Sequence, residues 1–122
     1  MEKTQILIVD DEKLVTMLAR GALNMHGYEV TESNDPVQAV EIVKSRQFAM
    51  ILVDIMMPKM TVVDFIRAAK ATELNANAHY AVLTAKRLSQ EDRREIFDLG
   101  AQVMSKPFIP QKLVEWVGEI LR

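Results

Sequence analysis

Gln5-Ile6-Leu7-Ile8-Val9-Asp10-Asp11 is the stretch from which the fold can be read. Ile6 to Val9 is a short continuous apolar run ending abruptly on two carboxylates, the pattern of a strand buried on both faces. Ala49-Met50-Ile51-Leu52-Val53 repeats it and ends at Asp54. Tyr80-Ala81-Val82-Leu83, closed by Thr84, is a third copy, and Gln102-Val103-Met104-Ser105, closed by Lys106-Pro107, a weaker fourth. Tyr28-Glu29-Val30-Thr31-Glu32 alternates apolar and polar residues instead, as a more exposed edge strand does.

Between these segments the apolar period changes to three and four, the period of a helix packed on one side. Leu14, Leu18, Ala22 and Met25 share one such face, which ends at Gly27, a natural C′ residue. Asp35-Pro36 reads as N-cap and first helical position ahead of Ala39, Val40 and Val43. Thr61-Val62-Val63-Asp64 and Ser89-Gln90-Glu91-Asp92 both have the form of capping boxes; Phe65, Ile66 and Ala69 follow the first, Ile96 and Leu99 the second. Pro110 opens a last helix with Leu113, Val114, Val117, Ile120 and Leu121 facing inward. Strand and helix thus alternate five times. That alternation predicts an α/β domain, a parallel sheet with helices on both faces and right-handed crossovers.

The chain has 122 residues, 49% of them hydrophobic and 26% charged, an ordinary size for one domain. Five strand–helix units use nearly all of it, so residues 1–122 are expected to form a single domain with no output module. The absence of Cys excludes a disulfide scaffold, a thiolate zinc site and a cysteine nucleophile. The longest uncharged apolar stretch, Phe48 to Val53, falls far short of the roughly 18–20 residues of a membrane span. Met1-Glu2-Lys3 lacks the apolar region of a signal peptide, and a soluble, cytoplasmic protein is expected. A net charge of −2, from 15 Lys and Arg against 17 Asp and Glu, offers no basic excess for nucleic acid or an anionic membrane.

In an open parallel sheet, ligands bind beyond the carboxyl ends of the strands, where the strand order reverses. Asp10 and Asp11 follow the first strand, Asp54 the third, Thr84 the fourth and Lys106 the fifth. Taken singly, each has an ordinary explanation as a helix cap, an Asx turn or a solvated lysine. Convergence of all five on one edge makes a site. Three carboxylates brought together repel, and a divalent cation with oxygen ligands, Mg²⁺, is the obvious neutraliser; it commonly shares its sphere with phosphate. A lysine ammonium and a threonine hydroxyl suit the same phosphate. Aspartate can accept a phosphoryl group as a nucleophile, and phosphoryl transfer is catalysed mainly by positioning and charge neutralisation. Asp54 stands alone on a central strand and is the nucleophile candidate, while the adjacent Asp10 and Asp11 are placed to hold a metal.

Ile6-Leu7-Ile8-Val9-Asp10-Asp11-Glu12, Val53-Asp54-Ile55-Met56-Met57-Pro58, Leu83-Thr84-Ala85 and Ser105-Lys106-Pro107-Phe108, in this order and at these separations, resemble the receiver domain of two-component response regulators over essentially the whole chain. The resemblance implies a flavodoxin-like (βα)5 three-layer sandwich with strand order 2-1-3-4-5. It implies that Asp54 accepts a phosphoryl group from a histidine kinase or a histidine phosphotransfer protein. Asp11 is then a direct ligand of Mg²⁺ (or Mn²⁺) and Asp10 a ligand through water, with Asp54 and the backbone carbonyl of Met56 completing the set. Thr84 binds a phosphoryl oxygen and moves inward on activation, Lys106 pairs with the phosphoryl group, and Ala85 leaves the site open to the donor. The bond before Pro107 is usually cis in the family. The outcome is a signalling switch rather than an enzyme, read by an output domain or protein, or by a second copy of the chain, at the face of the fourth helix, fifth strand and fifth helix. The resemblance includes neither direct nucleic-acid binding by this domain nor membrane insertion.

Three departures from that family pattern lie close to signal output. Thr61-Val62 replaces the usual Asp-Gly, so a different loop into the third helix is expected. Val103 replaces the usual aromatic residue three positions before the lysine and has no ring to rotate. The spacing of Gly100 between Thr84 and Lys106 is shifted by one, which points to an altered fourth helix or following loop. Two other classes fit less well. A haloacid-dehalogenase-like phosphatase would also use Asp54 as nucleophile, but its second Asp, two residues on, is Met56 here. A flavin binder expects a phosphate-cradling loop where this chain has Asp10-Asp11-Glu12. Met17, Met25, Met50 and Met104 fit core positions, His26 and His79 lack ligand spacing, and Trp116 is expected to pack at the flank of the last helix.

Overall fold

The computed structural model describes residues 3–106 and 109–122; the bond before Pro107 and the residues Pro107 and Phe108 lie outside the described residues. The alternation folds as β1 (Thr4–Val9), α1 (Lys13–Met25), β2 (Tyr28–Ser33), α2 (Pro36–Ser45), β3 (Met50–Asp54), α3 (Val62–Lys70), β4 (His79–Thr84), α4 (Gln90–Asp98), β5 (Ala101–Ser105) and α5 (Pro110–Leu121). The five strands form one parallel sheet in the order β2-β1-β3-β4-β5.

Successive residues of a strand point to opposite faces, and the apolar runs fill both. Leu7, Val9, Ile51, Val53, Tyr80 and Val82 pack on one side with Ala39 and Val43 of α2, Phe65, Ile66 and Ala69 of α3, and Ile96 of α4. Ile6, Ile8, Met50, Leu52, Ala81 and Leu83 pack on the other with Ala19 and Leu23 of α1 and Leu113, Val114 and Val117 of α5. The result is the expected three-layer sandwich. The strands β2 and β5 form the two edges and alternate in burial or are half-buried, whereas β3 is buried throughout.

The caps act as the sequence indicates. Asp35 accepts from the Val37 N–H, Thr61 from that of Asp64 and Ser89 from that of Asp92. Gly27 takes the left-handed conformation (φ 91°) just beyond α1. In the loop before α3 the same conformation falls on a non-glycine residue, Lys59 (φ 76°), whose ammonium is tied to Asp35 at 2.8 Å.

The apolar face of α1 differs from expectation. Its buried residues are Thr16, Ala19 and Leu23, while Leu14, Leu18 and Met25 are exposed and only Ala22 of the expected set packs partly inward. The helix carries two adjacent apolar stripes, and close approach to the sheet selects the one containing the small Thr16 and Ala19. Met17 and Met25 are accordingly not core residues; Met50 is fully buried and Met104 partly so. Trp116 packs against the α1–α5 layer, as a flank residue should.

The register of the strands levels their carboxyl ends. Val9 pairs with Val53, Asp54 with Leu83 and Thr84 with Ser105. Asp10 and Asp54 therefore emerge side by side at the β1–β3 boundary, where the chain reverses its direction of travel across the sheet. Thr84 follows one step later at the end of β4, and Lys106 comes directly after β5.

Candidate functional site

Asp10, Asp54 and Thr84 are all buried, the two carboxylates at 0% and 2% exposure. Their loops hold them by local hydrogen bonds. Asp10 Oδ1 accepts from the Glu12 N–H at 3.0 Å, and the Asp10 carbonyl accepts from Asn34 Nδ2 at 2.7 Å. Asp54 Oδ1 accepts from the Met56 N–H at 3.2 Å. Both are Asx turns, so the local explanation and the functional one coexist.

Lys106 is not a solvated loop lysine. Its side chain is 8% exposed, and its ammonium lies 2.6 Å from Asp10 Oδ2, 3.3 Å from Glu12 Oε1 and 3.5 Å from Asp54 Oδ1. Burial alone would lower the ammonium's pKa, but the bond to Asp10 and the charges of Asp10, Asp54 and Glu12 outweigh it and hold it above its ordinary value. Burial also raises the Asp10 carboxyl, with Lys106 and the Glu12 N–H opposing the shift and the Asp54 charge adding to it.

Carboxylate oxygens of Asp10, Glu12 and Asp54 all lie within 4.8 Å of one another. At that spacing two like charges in a protein environment repel by about 3.5 kcal/mol, and one ammonium does not neutralise three carboxylates. The donor set is all oxygen and fits a hard divalent cation. Asp11 is exposed and stands outside the group of three. Glu12 joins it, although the sequence reading gave this residue no role; its place directly behind Asp10-Asp11 was the available signal.

Thr84 points its hydroxyl into its own loop. Oγ1 donates to the Lys86 carbonyl and accepts from the Lys86 N–H, both at 3.0 Å. Met56 is exposed on the rim. The elements around Thr84 are unevenly anchored: α4 buries Ile96 alone, assisted by Leu88 in the loop before it.

Comparison with known proteins agrees with this architecture. The family described as the response regulator receiver domain matches residues 6–118. The phosphate regulon transcriptional regulatory protein PhoB of Pseudomonas aeruginosa is 35% identical over 119 residues, covering 96% of this chain and 51% of that protein. The transcriptional regulatory protein CpxR of Escherichia coli K12 is 32% identical over 119 residues, covering 97% of this chain and 49% of its own length. The chain thus spans about half the length of these curated relatives. Among solved structures, the chemotaxis protein CheY4 of Vibrio cholerae superimposes with a TM-score of 0.90 at 27% identity, covering 98% of this chain and 99% of that one.

Proposed function

The chain belongs to the response regulator receiver domain family, and from that premise we propose that residues 1–122 act as one phosphorylation-controlled switch whose phosphoacceptor is Asp54. The observation that carries the reading is the Asp54 carboxylate at the end of the central strand, buried and 3.5 Å from the Lys106 ammonium. A carboxylate oxygen of Asp54 attacks the phosphorus of a phosphohistidine, the P–N bond breaks, and the departing imidazole of the donor takes up a proton. Asp54 becomes an acyl phosphate. Lys106 supplies a positive charge to the phosphoryl oxygens, and Thr84 a hydroxyl donor.

Asp10, Asp54 and the Met56 carbonyl are the groups proposed to hold Mg²⁺ or Mn²⁺, and the family's pattern adds Asp11 from the rim. When bound, the cation neutralises the clustered carboxylates and the incoming phosphoryl oxygens. To donate to a phosphoryl oxygen, the Thr84 hydroxyl must give up its bond to the Lys86 carbonyl. That release is proposed to pull the β4–α4 loop and to shift α4, the helix with the fewest buried anchors.

Exposed apolar residues support two docking faces. Leu14, Met17 and Leu18 form an apolar patch on α1, the helix that begins beside the site, and are proposed to meet a histidine kinase or a histidine phosphotransfer protein. Phe97 is exposed on α4 with Arg93 and Arg94, and the face of α4, β5 and α5 is proposed to carry the signal to an output domain or protein, or to a second copy. No helix among the described residues is long and apolar enough to cross a membrane. A cytoplasmic location, and a signalling role in which the chain assists only its own phosphorylation and dephosphorylation, complete the proposal. The phosphatase alternative has no support, since Met56 stands where its acid would.

Treatment with a small phosphodonor, followed by intact mass, tests the assignment. The wild type should gain one phosphoryl group in the presence of Mg²⁺ and almost none without it, and Asp54→Asn should gain none. An adduct that persists in Asp54→Asn would overturn the choice of Asp54.

A further inference from the structure

Glu12 occupies the N-cap position of α1, yet its side chain makes no capping hydrogen bond. The cap's usual occupants are short residues that bend back to the helix's own N–H groups. Glu12 instead extends to Lys106, with Oε1 3.3 Å from the ammonium. Its backbone is fixed: its N–H donates to Asp10 Oδ1, and its carbonyl accepts from Val15 and Thr16 in the first turn of α1. The side chain of Glu12 is 63% exposed and that of Lys106 8%, so the glutamate reaches the ammonium from the solvent side, next to the buried Asp10 and Asp54, whose carboxylate oxygens lie within 4.8 Å of its own.

None of the bond-making proposed at Asp54 requires this carboxylate. Its effect falls on the cation that must serve the phosphoryl group. With Asp10 at 2.6 Å and Glu12 at 3.3 Å, Lys106 is held closer to both than to Asp54 at 3.5 Å. We propose that Glu12 is a positioning residue that tethers Lys106 on the Asp10 side and competes with a phosphoryl group on Asp54 for the same ammonium. This inference rests on the reading of Asp54 as phosphoacceptor. Because Glu12 is the one exposed member of the cluster, its hold on Lys106 is weak enough to be displaced, and it tunes the site without blocking it.

The test is the binding of fluoroberyllate, a phosphoryl mimic, in the presence of Mg²⁺. It is measured by calorimetry and fluorine NMR on wild type, Glu12→Gln, Lys106→Gln and the double variant. Glu12→Gln should bind roughly two- to fivefold more tightly, the range expected for release of one exposed charge pair. The gain should vanish in the Lys106→Gln background, since the tether acts only through the lysine. If Lys106→Gln binds too weakly to titrate, phosphorylation rates with acetyl phosphate supply the same cycle. Unchanged or weaker binding in Glu12→Gln overturns the proposal; weaker binding with a raised Mg²⁺ requirement assigns Glu12 to the metal instead. An equal gain in both backgrounds overturns it too, in favour of general charge repulsion. Wild type that binds no fluoroberyllate defeats the phosphoacceptor reading itself, which separates the two failures.

Discussion

Single residues away from the site carry sharp consequences, and Tyr80 is the clearest. It is buried on β4, its hydroxyl donates to the Asn75 carbonyl at 2.7 Å, and Lys70 Nζ lies 5.5 Å from its ring centroid. Burial pushes its ionisation from 10.0 up to about 12. An unfolded tyrosine loses its proton first, so the neutral phenol's contribution is complete below pH 10 and is lost as pH rises towards 12. Denaturant titrations should show about 2–3 kcal/mol of stability disappearing across that window, and Tyr80→Phe should remove that part of the slope. The ion pair of Asp35 has the opposite sign. Lys59 and the Val37 N–H hold its carboxyl below 3.8. Its contribution is therefore present above that value and fades as pH falls through the lowered one. Asp35→Asn should keep the cap of α2 while losing this acid dependence, seen as a flatter melting temperature below pH 4, roughly the unperturbed carboxylate range.

Among the elements, α1 and α4 are held differently from the others. On α1 the inward stripe is Thr16, Ala19 and Leu23, and the bulkier Leu14 and Leu18 face outward. Leu23→Ala should cost about 2–5 kcal/mol by opening a cavity, whereas Leu18→Ala should change stability by no more than about 0.5 kcal/mol. Equal losses in chemical denaturation would contradict the observed face. The sequence marked α1 as amphipathic but placed its core face one stripe away, because apolar residues occupy both stripes and only the fit against the sheet separates them. The end of α4 is secured from outside: Lys70 of α3 donates to the Leu99 carbonyl at 2.6 Å. Removing a charge-assisted bond of this kind in Lys70→Met should raise amide exchange over residues 90–99 roughly tenfold, with exchange in β1 and β3 unchanged.

At the scale of the whole molecule, Asn75 joins parts far apart in sequence. Fully buried, it accepts from the Phe48 N–H at 2.8 Å and donates to the carbonyls of Val43 and Arg46, both at 2.8 Å. It thereby ties the end of α2 and the approach to β3 to the loop before β4. Asn75→Ala leaves these groups unpaired and should cost about 3 kcal/mol in global unfolding, while the phosphorylation proposed for the opposite end of the sheet should be unaffected. No pattern in the sequence announces this asparagine, since its partners are backbone groups that only the closed fold brings near. The strand and helix order, the caps at Asp35, Thr61 and Ser89, and the gathering of Asp10, Asp54, Thr84 and Lys106 at one sheet edge follow from the sequence alone. They depend on local periodicity, short-range hydrogen bonds and the rule that parallel strands all end on the same side. Tertiary structure decided which stripe of α1 is buried, where the Thr84 hydroxyl points, and that Glu12 rather than Asp11 stands beside Lys106. Those outcomes turn on distances of a few ångströms between separate elements, which packing sets and periodicity does not encode.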